Sequence, residues 1–370
     1  MDREKNPYLI IFSFFCLSYI FFTNAHFNYE ETLIFGGADG ESYLNISKYS
    51  PEISKVKIQP IHSERFIFPY IIGLIANIFS LDIFLLYKIL SITLLFTINF
   101  IFVQIANKIN FSLAKIVLCL CLINFNPYIT RFYISNPIIL VDLFFYIGLL
   151  ITILGVIEKK NFYLLSGLLI AISARQTAAA ILISILLIDL VNKNFLKRIK
   201  INIILTISFI IVVFFNFYYS NQTISYKGER SSQYFVTLFG LFIENKNLFE
   251  IFHFLILLPL LSFGPLIAVC IFTIRKIKYN SKIKDLNIFV LSSCSLMILQ
   301  PFLSGIDVTG RNVIRLSTFG YIPLLIFLFS HVQLSKTFLK YKTIFIIAIL
   351  FIWSSHPTLS IFSFLKTFKF

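Results

Sequence analysis

The stretch FYLLSGLLIAISARQTAAAILISILLIDL, Phe162 to Leu190, contains two apolar runs that meet at the sequence Arg-Gln-Thr. Each run is long enough for a short helix, and Arg175 between them is the only basic residue of the stretch. A guanidinium near a bilayer boundary costs up to about 3 kcal/mol unless it snorkels to water or finds a partner. Two interpretations of Arg175 are therefore open: a snorkelling residue at a helix end, or an anion-binding residue that faces a cavity.

Similar apolar runs recur from one end of the chain to the other. Hydrophobic residues make up 58% of the sequence and charged residues 13%. This composition predicts an all-α, polytopic membrane protein, with residues 1–370 in a single transmembrane domain and no separate soluble domain. We expect about eleven transmembrane helices, at residues 8–23, 84–106, 112–127, 138–157, 161–174, 176–192, 200–219, 251–274, 286–303, 314–331 and 342–356.

The distribution of basic residues predicts the orientation. The net charge is +15, and much of it falls in short loops between the spans, which indicates membrane topology and argues against nucleic acid as a partner. With the N-terminus inside, these loops lie inside only if residues 66–81 form an interfacial or re-entrant helix, broken near its start by Pro69. Residues 24–82 then form a long outer loop. This pattern predicts a bacterial inner (plasma) membrane protein with its active site on the periplasmic, outer face.

The first outer loop contains the sequence FGGADGESY, Phe35 to Tyr43. Glycines on both sides of Asp39 allow the backbone to bring this carboxylate close to another group, although a solvated Gly- and Asp-rich turn is the simpler alternative. In an extended segment, Glu41 would point to the same side as Asp39, and the two could share a divalent cation such as Mg²⁺ or Mn²⁺. Tyr43 would pack the loop onto the membrane or line a sugar site.

Further ionisable residues are predicted at the same face. Asp142, near the start of a span, is either a functional residue at membrane depth or a carboxylate favoured by the helix dipole. Each outer arginine on its own fits contact with water or with the headgroups of membrane lipids. Together they favour binding of a polyanionic substrate. Besides Arg175, the arginines of this face include Arg65, Arg131, Arg311 and Arg315.

This set of residues suits the transfer of a sugar from a phosphate carrier to a hydroxyl group. The reaction needs a base to take the proton of the acceptor hydroxyl. The phosphate leaves as a stable anion, so no second carboxylic acid is needed to protonate it, unlike in glycoside hydrolysis. One carboxylate and cationic groups around the phosphate are sufficient.

With these residues the chain resembles the GT-C superfamily of integral-membrane glycosyltransferases, which includes protein O-mannosyltransferases and lipid A aminoarabinose transferases. The resemblance covers roughly residues 1–190 and an outer arginine near Arg311. It implies an inverting enzyme with a polyprenyl-phosphate-linked sugar as donor and a glycan, lipid or protein as acceptor. It further implies that Asp39 is the general base and Arg175 a ligand of the donor phosphate, with Asp142 at a second acidic position. Larger members have a C-terminal soluble domain, and paired Asp-Glu residues where this chain has Asp39.

Two other classes use similar residues. A transporter or flippase for lipid-linked sugars would bind the same phosphate without making a bond, and such proteins often contain inverted repeats. The sequence shows no such repeat. An O-antigen polymerase or ligase-like protein would carry its activity in a large late outer loop, whereas here the first loop is the longer one.

Overall fold

In a computed structural model, which describes residues 6–24, 40–52, 65–222, 283–303, 312–332 and single positions between 252 and 270, the chain folds into helices. We number them in chain order: α1 (Asn6–Asn24), α2 (residues 40–49), α3 (Ile67–Ile78), α4 (Ile83–Lys108), α5 (Leu113–Asn124), α6 (Phe132–Ser135), α7 (Val141–Glu158), α8 (Asn161–Ala174), α9 (Ala179–Val191), α10 (Ile199–Gln222), α11 (Lys284–Leu303), α12 (Asn312–Ser317) and α13 (Tyr321–His331). The all-α class predicted from the sequence is confirmed for these residues.

Among the described residues, three helical segments are long and apolar enough to cross a membrane: Ile83–Lys108, Pro137–Glu158 and Ile199–Tyr218. A fourth crossing is possible if Leu113–Asn124 and Pro127–Ser135, which meet at a bend of 46°, form one span. These apolar helices are compatible with a membrane protein. The predicted span at residues 342–356 lies outside the described part of the chain, as does most of 251–274.

Two details of the sequence prediction are wrong. Helix α3 continues through Pro69 without a break, because Pro69 occupies the first turn, where a helix does not need its missing N–H group. The segment between the predicted spans 112–127 and 138–157, expected to be a connecting loop, is mostly helical: a π-helical turn, Pro127–Arg131, precedes α6. The side chain of Asn126 caps this turn by accepting a 2.9 Å hydrogen bond from Tyr128 N.

Charged residues meet at one end of the bundle, which we call the Glu158 end. Lys108 at the end of α4 and Lys160 before α8 form ion pairs with Glu158 at 2.8 and 2.7 Å. The hydrogen bond to Glu158 raises the pKa of Lys160. Arg198, just before α10, forms a 2.8 Å ion pair with the buried Asp189 near the end of α9. Helices α4, α7 and α9 therefore end where α8 and α10 begin, as expected for an antiparallel bundle.

Helices α7 and α8 pack closely because small residues line their contact. A Cβ atom added to Gly167 would lie 2.6 Å from Gly148 O, and one added to Gly155 would lie 2.8 Å from Leu164 N. Glycine at these positions lets the two backbones approach each other, as small residues do between membrane helices. This contact sets the position of the first turn of α7 relative to the end of α8.

We expect Gly167→Leu to destabilise the protein by about 1–3 kcal/mol, because the added side chain would force α7 and α8 apart. The melting temperature in detergent measures this loss. Gly40→Ala is the control, since a Cβ atom at Gly40 meets nothing within 4 Å. Equal melting temperatures for Gly167→Leu and the wild type would show that the two helices do not pack in this way.

Candidate functional site

Asp142 is the centre of a buried group of polar side chains. It is the second residue of α7, and its exposed fraction is 0%. Its Oδ2 accepts a 2.9 Å hydrogen bond from the hydroxyl of Tyr133, and its Oδ1 contacts Nε of Arg175. Nε of Arg315 lies 3.5 Å from Oδ2. Both interpretations made from the sequence fit this position, because the first turn of a helix favours a negative charge and the carboxylate is buried among ionisable partners.

Arg175 lies at the break between α8 and α9, where the sequence predicts it. It has an extended backbone, with φ −154° and ψ 142°, and a short 3-10 turn, Gln176–Ala178, follows before α9. The side chain is 2% exposed, and its guanidinium carbon lies 4.8 Å from the centre of the Phe319 ring. The snorkelling interpretation is wrong, because the guanidinium points into the protein and pairs with Asp142. Its Nη2 is buried and has no hydrogen-bond partner within the described part of the chain.

Arg65 connects this group to the helix that follows Asp39 in sequence. Nη1 of Arg65 donates a 3.1 Å hydrogen bond to the hydroxyl of Tyr43, which is fully buried in α2. Both residues interact electrostatically with Arg175. Tyr43 therefore packs against the protein itself, and its role in a sugar site stays a prediction.

Helix α2 is held in place by contacts with α3 and α4. The hydroxyl of Ser47 donates a 2.7 Å hydrogen bond to Pro69 O, and it also lies 2.7 Å from the hydroxyl of Tyr87. The backbone of Ser47 lies against Gly73, with no room there for a Cβ atom. The residues buried in α2 recur at intervals of three and four, which is the spacing of a packed helical face. They include Tyr43, Ile46 and Ser47.

Several arginines come together in this group. Arg175 and Arg315 contact the carboxylate of Asp142, Arg65 interacts with Arg175, and we call these four residues the arginine cluster. Arginines that lie close together repel each other and lose hydration, so such a group favours the binding of an anion. Arginine is suited to phosphate, since its fork of N–H donors matches the phosphate oxygens.

The arginine cluster lies at the end of the bundle opposite Glu158. Asp142 precedes Glu158 by 16 residues of continuous α7, which corresponds to about 24 Å along the helix axis. The hydrocarbon core of a bilayer is about 30 Å thick. With Glu158 at one boundary of that core, the arginine cluster would lie near the opposite boundary and within reach of a lipid headgroup.

The uncharged residues of the site were not predicted from the sequence. Tyr133 donates to Asp142, and Phe319 stacks on Arg175. Tyr146, one turn after Asp142, has its hydroxyl 2.7 Å from Oγ1 of Thr318. Aromatic residues are frequent in apolar spans, so their type alone gives no signal. Tyr146 could have been predicted from its spacing, because residues four apart on a helix, such as Asp142 and Tyr146, lie on the same face.

The remaining predicted residues have different positions. Arg131 is buried in the π-helical turn and interacts with Tyr19 of α1. Glu41 is exposed and helical, so the prediction that it belongs to an extended segment is wrong. Asp39 and Arg311 lie outside the described residues. Within the described ranges, no three His, Cys, Asp or Glu side chains come together as metal ligands would, and a divalent cation bound by Asp39 stays a prediction.

Comparison with protein-family models, with curated proteins and with solved structures found no match to this chain.

Proposed function

We propose that the protein is a GT-C-type membrane glycosyltransferase that moves a sugar from a polyprenyl-phosphate donor to a hydroxyl group of a glycan, lipid or protein. One observation carries this proposal. The arginine cluster adjoins the helix that directly follows Asp39 through the Arg65–Tyr43 hydrogen bond. An anion site and a carboxylate in the neighbouring segment are the two parts that this chemistry requires.

In this reaction, Asp39 takes the proton of the acceptor hydroxyl as its oxygen attacks the anomeric carbon of the sugar. A new C–O bond forms, and the bond between the anomeric carbon and the phosphate oxygen breaks on the opposite face, which inverts the configuration. The electron pair of the broken bond stays on the polyprenyl phosphate. Arg65, Arg175 and Arg315 stabilise the negative charge that grows on this leaving group.

The proposal includes a topology of about eleven crossings with the N-terminus inside. The Glu158 end then faces the cytoplasm of a bacterial cell, and the arginine cluster faces the outer side of the inner membrane.

Cysteine labelling in intact cells tests this topology. Lys48 in α2 and Lys197 between α9 and α10 are both exposed, and the native cysteines are buried except Cys270, which is partly buried. In a Cys270→Ala background, we expect Lys48→Cys to react with a membrane-impermeant thiol reagent. Lys197→Cys should react only after the cells are permeabilised. The reverse pattern would contradict the proposed orientation.

A transfer assay tests the function directly. The purified protein is incubated with a panel of radiolabelled polyprenyl-phosphate sugars and a mixture of cell-envelope acceptors. We expect label to move from the lipid to an acceptor, with release of polyprenyl phosphate. If the protein is folded in detergent and turns over none of the donors, the proposal is contradicted.

A transporter for lipid-linked sugars is the second candidate. Helices α8 and α9 are interrupted at Arg175, and transporters use interrupted helices to bind anionic substrates. This alternative predicts that the intact donor crosses the bilayer of proteoliposomes without release of polyprenyl phosphate. Analysis of the lipid products in that preparation distinguishes the two functions.

A further inference from the structure

Asp142 has no oxygen that could serve a substrate directly. Its side chain is fully buried, Oδ1 is in contact with Arg175 and Oδ2 accepts the hydrogen bond of Tyr133. A general base must reach the proton that it takes. Asp142 instead has the surroundings of an internal counter-ion.

The same contacts fix the guanidinium of Arg175. Asp142 holds it at Nε, the ring of Phe319 covers one of its faces at 4.8 Å, and Nη2 is left buried without a hydrogen-bond partner in the described residues. A buried N–H donor normally has a hydrogen-bond partner, so one without a partner in the described residues is available to a ligand. Asp142 therefore occupies one part of the arginine and leaves another part for a ligand.

Asp142 also reduces the repulsion within the arginine cluster. Arg315 repels Arg175, and without the carboxylate of Asp142, which contacts both, these two side chains would move apart. The hydroxyl of Tyr133 orients that carboxylate, because it donates to the oxygen that faces Arg315. Asp142 and Tyr133, which do not touch the ligand, would thus determine the geometry of the arginines that bind it.

We propose that Asp142, oriented by Tyr133, is a positioning residue that holds Arg175 and Arg315 in the geometry that binds the donor phosphate. This inference rests on the proposed function, since it concerns the phosphate site of the same reaction. It assigns to Asp142 a role different from that of Asp39: the first organises the anion site, and the second takes the proton.

Binding of polyprenyl phosphate to the detergent-solubilised protein tests the inference, because the sign of the expected change is informative. Coulomb's law alone predicts that Asp142→Asn strengthens the binding of an anion, since a nearby negative charge is removed. A positioning role predicts the opposite, weaker binding by about tenfold or more, as when groups that orient ligating side chains are removed. In the transfer assay, KM for the donor should rise, and kcat at saturating donor should change much less.

Two further variants make the test independent of a folding defect. Tyr133→Phe keeps every charge and removes only the hydrogen bond to Asp142, so a smaller loss of affinity in the same direction is expected. Asp189→Asn is the matched control, because it breaks another buried Asp–Arg pair, with Arg198, at the Glu158 end. It should leave the affinity for polyprenyl phosphate unchanged.

The outcomes separate the inference from the proposed function. If the wild type binds polyprenyl phosphate and both Asp142→Asn and Tyr133→Phe bind it as tightly or more tightly, the positioning role is wrong and the proposed function stands. If Asp189→Asn weakens binding as much as Asp142→Asn does, the effect is a general loss of packing and the positioning role is again wrong. If the wild type binds no polyprenyl phosphate, the proposed function fails, and the positioning role fails with it.

Discussion

Replacement of Asp39 by asparagine is expected to lower the rate of sugar transfer about 10²- to 10⁴-fold, the usual contribution of a general base. Asparagine has nearly the same shape as aspartate but cannot take the proton of the acceptor hydroxyl. Binding of the donor depends on the arginine cluster, so the affinity for polyprenyl phosphate should be retained. The measurement is the turnover rate at saturating donor and acceptor, together with the donor affinity of the same preparation.

Glu52→Gln is the control for this prediction. Glu52 is an exposed carboxylate that follows α2, so its loss changes the charge of the same segment without touching the buried site. Its turnover rate should stay within about twofold of the wild type, since surface charges contribute little. Full activity of Asp39→Asn would remove Asp39 from the mechanism and leave the anion site without its proposed base.

Replacement of Arg175 by alanine is expected to weaken donor binding about 100-fold. The variant loses the guanidinium that contacts Asp142 and Phe319, and with it the buried Nη2 that has no partner in the described residues. It also leaves the buried carboxylate of Asp142 with less positive charge around it, and this carboxylate then repels a phosphate. Titration of the solubilised variant with polyprenyl phosphate measures the change. The donor affinity of Arg175→Lys should lie between those of the wild type and Arg175→Ala, because lysine keeps the charge and lacks the fork of donors.

Arg198→Ala is the matched control for Arg175→Ala. Arg198 also pairs with a buried aspartate, Asp189, but it does so at the Glu158 end of the bundle. The two variants disturb ion pairs of similar chemistry, and only one of them belongs to the arginine cluster. Unchanged donor affinity in Arg175→Ala, or an equal loss in Arg198→Ala, would show that the arginine cluster does not bind the donor.

The helical class and several helix boundaries followed from the sequence because apolar runs near bilayer length recur along this chain. The break at Arg175 was predictable since a single cation separates two apolar runs, and α8 and α9 do meet there. Helix α2 was not predicted. Its glycine-rich start and its serines resemble a loop, and the buried face that includes Tyr43 and Ser47 becomes visible only when α3 and α4 are there to pack against it.

The composition of the site was only partly predictable. Asp142, Arg175 and Arg315 could be selected because ionisable residues are rare in apolar segments, and Arg65 because it is an arginine of the first outer loop. The contacts among these residues could not be predicted, because the residues come from four segments that are distant along the chain and meet through helix packing. The sequence also gave no reason to separate Arg131 from the others. Its contact with Tyr19 depends on where α1 lies, which local sequence does not determine.

A structure of the protein with a bound polyprenyl-phosphate sugar, determined by electron cryomicroscopy, tests the central claim most directly. The measured quantity is the distance from the phosphate oxygens to Nη2 of Arg175. We predict that at least one oxygen lies within about 2.7–2.9 Å of that nitrogen, the length of a charge-assisted hydrogen bond. Phosphate density elsewhere, such as against the lysines of the Glu158 end, with the arginine cluster unchanged, would contradict the account.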